Sequence, residues 1–148
     1  MDYKDYRIKS PIKSFRDLEV YQKTIQLSHE ITNLPFLSKE QFEKDALEIK
    51  STAEAIPKLI AEAYGDKFDS KELAYKKLTE SVTLITDVIT KIDLFRQRFA
   101  EDKETKEILD KLLTQYQYQK RKVLNLRRAW QRVFSYKQDE TGKANWKK

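Results

Sequence analysis

Cysteine is absent from the chain. That excludes a disulfide framework and any metal site built on thiolates. Glycine occurs only twice and proline three times, too few for the closely spaced turns of a sandwich or barrel. A single histidine leaves little for imidazole chemistry. No apolar run approaches the roughly 20 residues of a membrane span. The N-terminal residues carry no apolar signal segment either, so a cytoplasmic location is expected.

What remains is a chain of 148 residues in which Lys, Leu and Glu are the commonest, with Gln and Ala besides. These residues lose little rotamer freedom in a helix, and the length suits one domain. An all-α fold follows. Net charge is +6, unevenly spread: residues 119–148 hold ten Lys/Arg against two Asp/Glu, and residues 1–118 hold twenty against twenty-two. A basic end on a balanced body points to a polyanionic partner, or to a solvated tail.

Residues 1–13 have no clear period and contain Pro11, which reads as a flexible arm. Ser14 and Asp17 suggest a capping box opening a first helix over roughly 15–34. Leu18, Tyr21, Ile25, Ser28 and Thr32 would share its apolar face, with Ile31 beside them. Asn33-Leu-Pro35 should end it. Ser38 and Gln41 suggest a second capping box, for a helix over roughly 39–64. Its stripe is Phe42, Ala46, Ile49, Ala53, Ile56, Ile60 and Ala63, with Pro57 inside and Gly65 placed as the stop.

Asp69 or Ser70 should cap a third helix over roughly 71–99. Its stripe runs Ala74, Leu78, Val82, Ile85, Val88, Ile89, Ile92, Phe95 and Phe99. A fourth helix, over roughly 103–136, presents Ile108, Leu109, Leu112, Tyr116, Val123, Leu126, Trp130, Val133 and Phe134. Residues 137–148 read as a disordered basic tail. Four amphipathic helices with short loops predict an antiparallel up-down-up-down four-helix bundle over 14–136, with long third and fourth helices.

The sequence offers little catalysis. His29 lies at the edge of the first stripe with no acid three residues before it, so the paired Glu-x-x-His motifs of a di-iron bundle are missing. Nucleophile, base and orienting group do not assemble. Clustered glycines for a phosphate-cradling loop are missing too. The expectation is a protein that is not an enzyme, holding no metal or other cofactor.

Two outward faces carry more information. On the fourth helix, Arg121, Arg128 and Arg132 fall within about 40° of each other, opposite the apolar stripe. Lys120 and Arg127 flank them, and Gln117, Asn125 and Gln131 add polar groups. Such a row of guanidiniums can grip phosphates bidentately. Tyr118, Tyr136 and Trp146 could stack on unpaired bases. A long helix also needs charge to stay soluble, so the pattern alone does not decide. On the third helix, Thr79, Thr83, Thr86 and Thr90 form a second outward stripe, continued by Leu94. Uncharged β-branched residues are unusual on a wet helix face and suggest a contact with another subunit.

Phe15-Arg-Asp-Leu-Glu-Val-Tyr-Gln-Lys23 and Ile56-Pro-Lys-Leu-Ile-Ala-Glu62 resemble two motifs of the four-helix-bundle proteins encoded by intervening sequences in 23S ribosomal RNA genes. Arg127-Arg-Ala-Trp-Gln-Arg132 is similar in kind to the basic, Trp-bearing last helix of the related accessory variability determinant, Avd, of diversity-generating retroelements. The resemblance implies a non-enzymatic homopentamer with a basic surface that works with RNA or DNA. In the Avd branch it implies a reverse transcriptase as partner.

Overall fold

The computed structural model describes residues 14–140, the side chains of Asp17 and 134–140 excepted. The expected N-terminal arm and Trp146 lie outside the described residues. Those described form four α-helices and no strand: α1 Glu19–Thr32, α2 Glu43–Asp66, α3 Lys71–Arg98 and α4 Lys103–Glu140. No described helix is long and apolar enough to cross a membrane.

The helices pack on one shared core, α2 against α1 and α3, and α4 against α3 and α1. Cross-helix pairs fix their register. Lys77 reaches Glu62 at 3.4 Å and Asp66 at 2.8 Å beside the α2–α3 turn, and the Asp66 hydrogen bond raises the lysine above its ordinary pKa. Farther along, Lys91 meets Glu48 and Arg98 meets Asp45. Between α3 and α4, Arg96 pairs with Asp110 and Arg127 with Thr79. Between α1 and α4, Lys122 meets Glu19 at 3.5 Å.

The α2 stripe is buried as its period predicts, from Phe42 through Ala63. Pro57 sits inside α2 and is buried, yet the helix runs on past it. Gly65 does not stop the helix. It is the penultimate residue of α2, and Lys67 caps the end by donating its N–H to the Ala63 carbonyl. The anticipated Ser38/Gln41 box is also not formed. Ser38 instead donates its hydroxyl to the Pro35 carbonyl, inside a short 3₁₀ turn, Pro35–Ser38. A second turn, Glu40–Phe42, delays α2 until Glu43.

These turns serve packing. They bury Phe36 and Leu37, and Phe36 lies 4.6–5.5 Å, ring to ring, from Phe42, Phe95 and Phe99. At the other end of α2 a second aromatic group forms, where Tyr64 meets Phe68 at 5.6 Å and Trp130 at 6.5 Å. The Lys67 ammonium lies over all three rings, at 4.5, 5.1 and 5.1 Å. Edge and tilted ring geometries are the favourable ones for such clusters.

α1 departs most from its predicted face. Ser14 does cap, but it caps a 3₁₀ turn, Phe15–Asp17, and α1 starts afresh at Glu19. The restart shifts the phase, so Val20, Thr24, Leu27, Ser28 and Ile31 face inward. Tyr21 and Ile25 are half-buried and Thr32 and His29 exposed. Thr24 tolerates burial because its hydroxyl donates to the Val20 carbonyl at 2.7 Å. On α4, Ile108 and Val133 are exposed rather than buried, and the helix continues through Glu140, past the expected end at 136.

α3 keeps its predicted stripe, with Ser81 added. The Ser81 hydroxyl is satisfied by the Leu78 carbonyl at 2.7 Å. Ser70 caps the helix, accepting from the Leu73 N–H.

Tyr116, about a third of the way along α4, is fully buried, and its hydroxyl has no hydrogen-bond partner among the described residues. Burial pushes its pKa well above the ordinary tyrosine value, with a smaller push from Glu30. Stability is therefore level below the unfolded pKa, about 10, and falls as pH rises beyond it, because the unfolded phenol ionises while the buried one is held neutral. Tyr116→Phe removes an unsatisfied hydroxyl, whose burial costs about 1–3 kcal/mol. The variant should therefore be more stable at neutral pH and lose less stability between pH 9 and 11, as read by urea unfolding.

Candidate nucleic-acid interface

α4 carries a long stretch free of acid. From Lys111 to Gln138 there are eight Lys/Arg and no Asp or Glu. Because α4 packs on α1 and α3 through Leu109, Leu112, Tyr116, Val123 and Trp130, its opposite face turns outward. Arg121, Arg128 and Arg132 all lie exposed on that outer face. None of the three has an ion pair among the described residues, and Arg128 only steadies its guanidinium on Asn125 at 3.0 Å. At about 1.5 Å rise per residue they stand roughly 10 and 6 Å apart along the axis. That row is a cationic strip available to an anion.

Arg127 is placed otherwise. It donates to the Thr79 hydroxyl at 2.8 Å and stacks over Tyr75 at 4.9 Å, tying α4 to α3. It is half-buried, as is Lys120. Periodicity set both beside the arginine row, but the bundle turns Arg127 into the α3–α4 seam. Tyr118 is 50% exposed beside Arg121, and the Lys122 ammonium lies 5.5 Å from its ring. Tyr118, and then the Glu19 carboxylate, raise Lys122 above the ordinary lysine value. Tyr136 falls among the side chains that are not described.

The threonine stripe has a local explanation. Each hydroxyl donates to the carbonyl four residues before it: Thr79 to Tyr75, Thr83 to Thr79, Thr86 to Val82 and Thr90 to Thr86, at 2.9–3.3 Å. With the hydroxyls bonded back onto their own helix, the stripe has little hydrogen-bonding demand left for a neighbour to meet. Thr83, Thr90 and Leu94 are exposed, while Thr79 and Thr86 are half-buried. Thr79 is shared with Arg127, so its end of the stripe belongs partly to the α3–α4 contact.

Sequence reasoning missed a groove between α1 and α4. Lys23, Gln26, Leu27, Thr114, Gln115, Tyr118 and Gln119 line a cavity of about 350 Å³. Gln119 is only 4% exposed, and neither its Oε1 nor that of Gln115 has a donor among the described residues. The clue was present in Thr114-Gln-Tyr-Gln-Tyr-Gln119, which interrupts the apolar period with amides. Among the described residues no cluster of three His, Asp or Glu could hold a metal ion. No family model, curated protein or solved structure matches the chain.

Proposed function

We propose that this protein is a homo-oligomeric, non-enzymatic accessory protein that binds RNA or DNA through the outer face of α4. The observation that carries this is the acid-free stretch with Arg121, Arg128 and Arg132 exposed and, among the described residues, without carboxylate partners. The proposed architecture is an antiparallel up-down-up-down bundle. It is supported by cross-helix pairs whose numbers fall on one helix as they rise on the next, as in Glu62–Lys77 and Asp45–Arg98. Kinship with the intervening-sequence proteins, and a pentameric state, belong to the same proposal. The stripe of Thr83, Thr86, Thr90 and Leu94, its hydroxyls bonded back onto the helix, supplies the surface on which copies meet.

Oligomer symmetry would repeat a modest arginine row around a ring, so that weak contacts add by avidity. Binding is then largely independent of sequence and dominated by phosphate. Its logarithm should fall steeply and linearly with the logarithm of salt, because each neutralised phosphate releases a counterion. Anisotropy titrations of a labelled RNA between 50 and 200 mM salt, with light scattering on the free protein, test both halves. A flat salt response removes the phosphate reading, and a monomer at micromolar concentration removes the subunit contact.

A further inference from the structure

We infer that the groove between α1 and α4 receives one unpaired base of the bound strand, which makes the protein selective for single-stranded over duplex nucleic acid. This rests on the nucleic-acid reading above and adds a specific site to it. The groove holds about 350 Å³, within the range of small-molecule sites. Tyr118 stands at its rim, half exposed, between the arginine row and the groove floor. On the α4 wheel it lies about 60° from Arg121 on one side and about 60° from Gln115 on the other. A strand whose phosphates follow the arginines therefore passes the groove mouth.

The floor has the chemistry of base recognition. Gln115 and Gln119 are four residues apart on one helical face, about 6 Å between their Cβ atoms. Both carry amide oxygens with no donor among the described residues. Gln119 is nine-tenths buried and lines the cavity. An amide presents an acceptor beside a donor, the complement of a base edge, and turning its last torsion offers either atom. Leu27 supplies apolar wall, while Lys23 brings positive charge to the lining. A paired base has its edge already occupied and its faces stacked, so a duplex cannot use the groove.

The test compares an unstructured 12-nucleotide RNA with its duplex, using the full chain. Tyr118→Ala should weaken single-strand binding at least about five-fold, the low end for a lost base stack, and leave duplex binding unchanged. Gln119→Met should raise the melting temperature, because it deletes a buried amide oxygen that has no donor among the described residues, and at the same time lower single-strand affinity. If the wild type binds both forms with a steep salt dependence but Tyr118→Ala changes neither, the base site is wrong and the phosphate reading stands. Unchanged single-strand affinity in Gln119→Met also overturns the base site. If the wild type binds neither form at low salt, the phosphate reading fails and takes the base site with it.

Discussion

Replacing Arg121, Arg128 and Arg132 together with Glu should abolish RNA and DNA binding while leaving the far-UV helical spectrum unchanged. All three are exposed and none pairs with a carboxylate among the described residues, so the fold loses no contact of consequence. The loss in binding is large because each phosphate contact contributes about 0.9 to the salt slope on a duplex and about 0.7 on a single strand. Removing three contacts should lower the slope by roughly two to three, and reversing the charge adds repulsion. Arg127→Glu is the informative control. Its guanidinium holds Thr79 and covers Tyr75, so this change should lower stability rather than select against nucleic acid. A triple variant that keeps its affinity would mean that the phosphates sit elsewhere.

The contrast between Arg127 and its neighbour Arg128 shows what the sequence could and could not tell. Helical period located the cores of α2 and α3 because those helices are long and regular and bury alanine and branched aliphatics at every turn. The same arithmetic put Arg127 on the flank of an outward patch. What periodicity lacks is the position of the neighbouring helix. Tyr75 and Thr79 of α3 offer a ring and a hydroxyl to whatever lies opposite, and the half-buried arginine takes both.

Turn chemistry was the other blind spot. Ser38 and Gln41 have the spacing of a capping box, yet burying Phe36 and Leu37 against Phe42, Phe95 and Phe99 outweighs it and winds the segment into 3₁₀ turns. A cap is worth about 1 kcal/mol, whereas two buried large apolar side chains contribute about 3 kcal/mol or more. Gly65, placed just after the last stripe residue, has the position of a stop but does not act as one. The chain stays helical one residue past the glycine, to Asp66, and it is Lys67, held over three rings, that caps it. The groove stayed hidden for a related reason. Gln115 and Gln119 are polar in any pattern, and only the approach of α1 shows that Gln119 is buried.

Trp130→Ala should destabilise the protein by about 3–5 kcal/mol, the usual cost of emptying a buried aromatic site. For a chain of this length that corresponds to a melting temperature lower by roughly ten degrees or more. The tryptophan is 9% exposed, packs at 6.5 Å from Tyr64, and forms one wall of the cage over Lys67. Its loss opens the end of the bundle where α2 turns into α3, and leaves the Lys67 ammonium with two rings in place of three. The substitution also separates two roles that a basic, Trp-bearing helix could have. A tryptophan turned into the core cannot stack on a base, so below the lowered melting temperature the variant should bind RNA as tightly as the wild type. Unfolding monitored by circular dichroism, with anisotropy at 10 °C, reads both quantities. Normal stability with weakened binding would place the indole at the nucleic acid, and the inward assignment of this helix face would have to be abandoned.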